Sequence, residues 1–469
     1  MDHPNLVAAP IVKARTRKRL APSKISGPLV FLGRYAAPVY LKLALSFRGA
    51  EILHPEAVVQ AVEDFQQKRT RLIVAFRHAY GDEPQLLFHV FENLVPRYAS
   101  RLHRPLRRGF SMRPIHDYAV ALWGDAVIRF ILPRVGALPV YHSRLDSESL
   151  NNIRSVMRDG PNPLGIAPEG QISYHAETLP RIEQGTVRMG FWCVRDLEKA
   201  GRPEHVEILP LSIHYRYDIR DAKKIKKMLA RLEALCGMNE SANDEADASL
   251  KTMLTRIEAI ETRMLEITEA YYQSTYGYLP AAPEKDIGGA DARHERWMAL
   301  LPFAIAAAEG ILGIEPQSAD TVQRMYRVRQ VGWDRVYPES PVEALCPLEA
   351  AFADRRTGEA WYAMRHMELV DVMGYHDAGY LNASSLSFDR IVETVLTLVD
   401  LAGRLRGGNI TNRPNTIRKR AVIVPGDCID LTEHLPAYRA NARQTVQQLT
   451  ETLVHQFEKC IEVYQSETK

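Results

Sequence analysis

The chain has 469 residues, of which 46% are apolar and 25% are charged, and its formal net charge is +3. These fractions are those of a folded globular protein, and the small net charge argues against a dedicated nucleic-acid-binding protein. The five cysteines are scattered and include no Cys-x-x-Cys pair. This pattern indicates a reducing compartment and neither a disulfide framework nor a zinc cage.

A basic run near the start of the chain precedes an apolar segment at 28–47. Arg34 and Lys42 interrupt this segment, so it falls short of the roughly 18 uncharged residues of a membrane-spanning helix. We expect the basic run to be a solvated tail, which is the commoner fate of such runs. If the substrate is a lipid, the run and the segment together could instead anchor the protein to anionic headgroups. The basic residues are Lys13, Arg15, Arg17, Lys18 and Arg19.

Between residues 71 and 220, short apolar runs alternate with helical patterns. Strands of the buried type are predicted at 72–76, 136–141, 164–167 and 206–215. Helices are predicted between them at 83–95, 115–132, 147–158 and 183–200. This alternation predicts an α/β domain with a mostly parallel sheet flanked by helices.

After residue 217 the pattern becomes helical. Helices are predicted at 221–235, 249–272, 293–313, 321–331, 341–373 and 385–405, and strand character returns at 421–424 before a last helix at 438–464. We therefore predict one α/β domain interrupted by a large all-helical insertion. The predicted divisions are a basic N-terminal tail (1–27), the first part of the α/β domain (28–220), the insertion (221–417) and a C-terminal completion of the α/β domain (418–469).

The first candidate for chemistry is His78, which follows the apolar run 72–76 and precedes Asp82 and Glu83. Loops after the carboxyl ends of strands collect catalytic groups in α/β sheets. A histidine beside a carboxylate can act as a general base, because the imidazole accepts a proton and the acid orients it. A helical turn would favour Asp82 as the partner, since residues four apart share a face. Taken alone, the motif is more often a surface or capping feature.

Two further candidates also follow predicted strands. Pro168, Glu169 and Gly170 form a turn in which glycine permits close approach of a ligand. His142 and Arg144 follow the run 136–141, and the planar guanidinium of an arginine suits a phosphate group. Each motif has a structural alternative. Residues 168–170 could be an ordinary turn, and Arg144 could be a surface charge.

In this order and spacing, the three motifs resemble those of the glycerolipid acyltransferase family. Its His-x-x-x-x-Asp, Gly-to-Arg, Phe-Pro-Glu-Gly-Thr and final Pro-containing strand blocks are similar to 78–83, 136–144, 168–170 and the strand around Pro210. The resemblance covers about 28–217 and, more loosely, 421–465. Four departures stand out: Glu83 replaces the Asp of the family, Arg144 comes two residues late with His142 in its place, and Ala167 and Gln171 replace Phe and Thr.

The resemblance implies transfer of a fatty acyl group from acyl-CoA or acyl carrier protein to a hydroxyl of a glycerol-phosphate or lysophospholipid, as in phospholipid biosynthesis. His78 would be the base, with Glu83 or else Asp82 as its partner. Substrate would be bound by Arg144, His142, Pro168, Glu169 and Gly170. It implies no metal, and no cofactor beyond the thioester. It also implies a cytoplasmic protein at a membrane surface.

Three other interpretations stay open. The chain could be a lipid-binding protein that kept the fold without the chemistry, which the Glu at position 83 favours. It could be a thioesterase or lysophospholipase in which His78 activates water. A zinc enzyme built on His78, Asp82 and His89 has weaker support. In the helical block, a lysine cluster could meet an acidic carrier or headgroup, or be a solvated helix face. These lysines are Lys223, Lys224, Lys226 and Lys227.

Overall fold

The computed structural model describes residues 13–17, 21–141, 146–238, 249–280, 289–377, 379–408 and 413–468. These residues form two compact units. The α/β unit comprises the described residues of 20–140, 145–216 and 418–469, and the helical unit comprises those of 1–19, 141–144 and 217–417.

The α/β unit contains a mostly parallel sheet in the order β1-β7-β6-β2-β5-β3-β4, with β8 antiparallel on β6. The pairs β1–β7, β2–β5, β2–β6, β3–β4 and β3–β5 are all parallel. The strands are β1 (Phe47–Ile52), β2 (Thr70–Phe76), β3 (Arg113–Asp117), β4 (Leu138–Val140), β5 (Leu164–Ile166), β6 (His205–Tyr217), β7 (Lys419–Pro425) and β8 (Ile429–Asp430).

The helices of the first part of the chain flank this sheet. They are α1 (Gly27–Leu43), α2 (Glu56–Gln66), α3 (Glu83–His89), α4 (Val95–Arg101), α5 (Val120–Trp123), α6 (Ala126–Arg134), α7 (Ser147–Asp159) and α8 (Gly185–Lys199). A π-helical turn, Val90–Leu94, joins α3 to α4.

Beyond β6, the described residues up to Ile417 form helices and the turns between them. The helices are α9 (Ala222–Leu235), α10 (Leu250–Tyr276), α11 (Gly289–Leu312), α12 (Thr321–Val336), α13 (Pro347–Met373) and α14 (Phe388–Leu405). Part of the basic run packs in this unit, because the backbone N–H of Arg15 donates to the carbonyl of Val336 and Arg17 forms an ion pair with Asp334. Its described residues are therefore not a free tail.

The chain ends in the α/β unit with α15 (Leu435–Ala440) and α16 (Ala442–Thr468). All seven residues of β2 are buried, as expected for a parallel strand covered on both faces. Ile73 of β2 belongs to one core cluster with Phe191 of α8 and Phe457 of α16. Thus α8 and α16 contribute to the core that holds the central strand.

The single helix predicted at 115–132 is wrong in its first three residues and in its continuity. Residues 113–117 form β3, which pairs with β4 and β5, and α5 and α6 follow it. Asp125 begins α6 as its N-cap and accepts the backbone N–H of Ile128, which separates the two helices. Sheet pairing with distant segments outweighed the local helical pattern.

Two other differences concern strand β1 and the last helix. Strand β1 was not predicted, and its pairing partner β7 lies far along the chain. The predicted helix 438–464 is interrupted at Asn441, where α15 ends. None of the helices in the described ranges combines the length and the apolar character that crossing a membrane requires.

Candidate functional site

The site is built where β2 ends. The backbone N–H of Arg77 donates to the carbonyl of Leu211 at 3.0 Å, so the strand continues one residue beside β6. His78 follows, and its carbonyl accepts the backbone N–H of Ser173 at 2.9 Å. Tyr174 N–H donates to the carbonyl of Ala79 at 3.1 Å. The loop after β5 is therefore fastened to the turn after β2.

His78 is paired with Glu83 by a contact of 2.9 Å between Nδ1 and Oε2. Glu83 is the first residue of α3, and its side chain is 0% exposed, whereas that of His78 is 21% exposed. The other carboxylate oxygen of Glu83 accepts the backbone N–H of Tyr80 at 2.6 Å and the hydroxyl of Tyr215 at 2.8 Å. Both oxygens of this buried carboxylate are thus engaged.

Asp82 has a different partner. It forms an ion pair with Lys419, the first residue of β7, and both side chains are buried. The argument that placed Asp82 on the same helical face as His78 does not apply, because α3 begins only at Glu83. The geometry therefore joins His78 to Glu83.

Glu169 lies directly behind His78. One of its carboxylate oxygens binds Nε of Arg77 and also accepts the backbone N–H of His78 at 3.3 Å. The side chains of Arg77 and Glu169 are both fully buried. Arg77 Nη2 also donates to the carbonyls of Thr178 at 2.6 Å and His175 at 3.2 Å. The carboxylate predicted to bind substrate is engaged with the protein itself.

The turn around Glu169 depends on Gly170, whose φ of +75° lies in the region that favours glycine. Pro168 accepts the backbone N–H of Glu183 at 2.7 Å, which fixes the other side of the turn. Gln171 follows, and its side chain is buried with neither amide atom bonded to a described residue. Leaving a buried amide without a hydrogen bond costs free energy. A ligand that bonded to the Gln171 amide would remove this cost.

Arg144 and His142 lie outside the described residues. Strand β4, which leads to them, is parallel to β3, and β3 is parallel to β5. Their position at the edge of the site and their binding role both stay predictions.

The electrostatics of the pair set its protonation. Burial lowers the pKa of His78, but the hydrogen bond and charge of Glu83, with the charges of Glu169 and Asp82, outweigh burial and raise that pKa above its ordinary value. Nδ1 is engaged with Glu83, and Nε2 makes no hydrogen bond to a described residue. A neutral imidazole here can accept a proton at Nε2, and it becomes neutral only above the raised pKa.

Sequence reasoning missed three members of this site: Arg77, Tyr215 and Lys419. Tyr215 lies in the predicted strand 206–215, and Lys419 lies two residues before the predicted run 421–424, but no local motif marks either residue. The zinc interpretation gains nothing, because Asp82 binds Lys419 and His89 Nδ1 lies 2.9 Å from the amide of Asn93. Across the described ranges, no group of three or more His, Cys, Asp or Glu residues is placed to hold a metal ion.

The chain was also compared with known proteins. No protein-family model matches it, and no curated protein matches it either.

Proposed function

We propose that this protein is an acyltransferase that moves a fatty acyl group from a thioester, on coenzyme A or acyl carrier protein, to a hydroxyl of a glycerol-phosphate or lysophospholipid. The observation that carries the proposal is the pairing of His78 Nδ1 with buried Glu83, which leaves Nε2 without a hydrogen bond to a described residue. The backbone N–H of His78 also donates to Glu169 of the Pro168–Gly170 turn. The motif resemblance supplies the reaction type, and the pairing supplies a base able to perform it.

In the proposed reaction, His78 Nε2 takes the proton of the acceptor hydroxyl as its oxygen attacks the thioester carbonyl carbon. The tetrahedral intermediate collapses with cleavage of the carbon–sulfur bond. The imidazolium returns the proton to the departing thiolate, so that the thiol, the new ester and the neutral enzyme result. Glu83 holds the ring in the tautomer with its proton on Nδ1 and stabilises the imidazolium.

The direct test measures transfer from a labelled acyl donor by purified protein, with a panel of lysolipids and both donor types. We expect His78→Ala to lower kcat by about 10²- to 10⁴-fold, the usual contribution of a general base. His205→Ala is the matched control, because His205 also pairs with a carboxylate, that of Asp430 at 2.5 Å, but is exposed at another part of the sheet. Equal rates for His78→Ala and wild type would contradict the proposal.

The same assay separates the alternatives. Release of free fatty acid without ester formation would indicate the thioesterase or lysophospholipase in which His78 activates water. Lipid binding with no turnover by the wild-type protein would indicate a binding protein, in which the extra methylene of Glu83 misplaces the ring. Transfer to a lysolipid that depends on His78 supports the acyltransferase.

We also propose that the protein works at an anionic membrane surface through α1 and α6. Helix α1 exposes large apolar residues, and Arg34, one of its two charged residues, forms an ion pair with buried Glu92 at 3.0 Å. The start of α1 lies near the end of α6, because Lys24 and Ser26 donate backbone hydrogen bonds to the carbonyls of Pro133 and Arg134. The exposed apolar residues are Phe31, Leu32, Tyr35, Val39, Tyr40, Leu43, Val127, Phe130 and Ile131.

The charge of this region suits anionic lipid. Residues 20–50 contain four Lys or Arg and no Asp or Glu. Apolar side chains beside basic groups are typical of peripheral binding, in which each basic group near the surface adds about 1 kcal/mol. The described part of the basic run packs in the helical unit, so the proposal rests on α1 and α6 rather than on a free tail.

Vesicle flotation tests this surface. We expect Leu32→Ser to reduce binding to vesicles that contain phosphatidylglycerol, and added salt to weaken binding of the wild type. Leu348→Ser in α13 is the matched control, because Leu348 is 66% exposed and Leu32 is 64% exposed. Unchanged flotation of Leu32→Ser, or equal flotation with neutral vesicles, would overturn the proposed surface.

We further propose that residues 221–417 are an insertion into the acyltransferase domain that meets the acyl donor. The lysine cluster of α9 supports this, although Lys224 is committed to Asp221 at 3.2 Å and to the carbonyl of Thr416 at 2.8 Å. Charge reversal at Lys223 and Lys227 should raise the KM for the donor. An unaltered donor KM would remove this role.

A further inference from the structure

A buried polar network lies behind Glu83. The Tyr215 hydroxyl is 2.8 Å from Oε1 of Glu83 and 3.3 Å from Oδ1 of Asp82. A hydroxyl has one proton to donate, and the shorter contact directs it to Glu83. Asp82 is then held chiefly by Lys419, whose ammonium group forms an ion pair with its other oxygen, Oδ2.

Lys419 is itself enclosed by aromatic rings. Its Nζ lies 4.6 Å from the ring centroid of Phe47, 5.1 Å from that of Tyr215 and 5.7 Å from that of Tyr80. These are cation–π distances, and the lysine side chain is only 5% exposed. A buried charge persists where it is paired, so the ion pair and the rings together fix Lys419 in one place.

The length of the Glu83 side chain explains why such a network is needed to hold its carboxylate. A glutamate side chain has one more rotatable bond than an aspartate, and confining it costs more conformational entropy. Its Oε2 must stay 2.9 Å from His78 Nδ1 for the ring to keep its orientation. The donors to Oε1, Tyr80 N–H and the Tyr215 hydroxyl, hold the second oxygen and so prevent rotation of the carboxylate.

We propose that Tyr215, Asp82 and Lys419 are positioning residues that hold Glu83 for His78. Tyr215 acts on Glu83 directly, whereas Lys419 acts by holding Asp82 and by packing against the Tyr215 ring. The proposal rests on the proposed function of the His78–Glu83 pair. In this proposal the C-terminal strand β7 contributes to the site, because it begins at Lys419.

The charges around His78 give the network a measurable signature. The charged groups that face the ring are Glu83, Asp82 and Glu169, and Glu169 is neutralised by Arg77. Asp82→Asn removes one of these negative charges and leaves the positive charge of Lys419 uncompensated. Both changes disfavour the imidazolium, so the pKa of His78 should fall.

The test follows the His78 ring by NMR in the full-length protein and measures kcat in parallel. Asp82→Asn should lower the pKa of His78 by about one pH unit, which is the usual scale for a nearby charge. Asp82→Asn with Lys419→Met removes both charges and should give a value between those of the single variant and the wild type. An unchanged pKa in both variants would overturn the role of Asp82 and Lys419.

Tyr215→Phe tests the direct contact. We expect kcat to fall about tenfold with KM unchanged, since the ring packing survives and only the donated hydrogen bond is lost. Tyr98→Phe is the control, because its hydroxyl contacts only the backbone of Ile52, at 3.4 Å, among the described residues. Equal kcat values for Tyr215→Phe and Tyr98→Phe would overturn the role of Tyr215.

These readouts separate the two proposals. If the wild-type protein proves to have no acyltransferase activity, the proposed function fails, yet the pKa of His78 in the Asp82 variants still tests the network. If activity is present and the pKa does not respond, only the network fails.

Discussion

Two neighbouring residues at the end of β2 each pair with a glutamate, and the two pairs differ in their access to solvent. Arg77 and Glu169 are both fully buried, and Arg77 also binds two backbone carbonyls. His78 pairs with an equally buried Glu83, but the imidazole itself is 21% exposed. The Arg77–Glu169 pair is therefore enclosed by the protein. The His78–Glu83 pair is partly exposed, and Nε2 of His78 can bond to a ligand.

This contrast distinguishes a structural ion pair from a candidate general base. The Nε and Nη2 donors of Arg77 bind groups of the protein. His78 titrates, and one of its nitrogens is free of bonds to the described residues. We expect variants of the first pair to affect stability and variants of the second to affect turnover and its pH dependence.

The largest expected effect concerns the closed pair. Glu169→Gln removes the counter-charge of Arg77 and should lower the free energy of unfolding by about 3–5 kcal/mol, because an uncompensated buried charge remains. Urea unfolding measures this change. Asp159→Asn is the control, since Asp159 meets Arg158 and Arg202 at the surface and such exposed pairs contribute about 1 kcal/mol or less. Equal stability losses in the two variants would show that the buried Arg77–Glu169 pair contributes no more than the exposed pairs of Asp159.

The open pair should respond in its pH profile. Against the lowering effect of burial, the hydrogen bond and charge of Glu83 raise the pKa of His78. Glu83→Gln removes that support, so the acid limb of kcat/KM should move to lower pH. Turnover should fall about 10²-fold, since the ring loses its orienting acid. An acid limb at the wild-type pH would show that Glu83 does not control His78.

The smallest expected effect concerns Gln171, which follows Gly170 in the turn after β5. Gln171→Leu keeps the shape and removes a buried amide without a partner, so stability should rise by about 1 kcal/mol. If this amide binds the substrate, kcat/KM should fall about tenfold. Thermal unfolding and the transfer assay measure the two changes. A gain in stability with unchanged kcat/KM would place this amide outside the substrate site.

Much of the α/β unit was predictable from local pattern. The runs that became β2, β5, β6 and β7 are apolar and short, as strands buried on both faces must be. The helices α7 and α8 also begin and end within a few residues of their predicted bounds. The sequence also predicted that His78 pairs with Asp82 or Glu83, because all three lie within six consecutive residues.

The missed elements depended on distant partners. Strand β3 reads locally as the start of a helix, and β1 pairs with a strand that lies beyond the helical unit. The choice between Asp82 and Glu83 also needed the tertiary structure, since the turn before α3 is not helical and Lys419 is 337 residues from Asp82. No local pattern records a contact of that range.

The sequence by itself therefore determined the strand and helix types of most of the α/β unit and the presence of a histidine with two acids after β2, because these depend on the spacing of apolar residues and on neighbours in the chain. Only the tertiary structure decided that Glu83 pairs with His78, that Glu169 pairs with Arg77, and that Tyr215 and Lys419 contact Glu83 and Asp82. Those choices depend on which side chains parallel strands bring to one edge of the sheet, and that is settled when the sheet assembles.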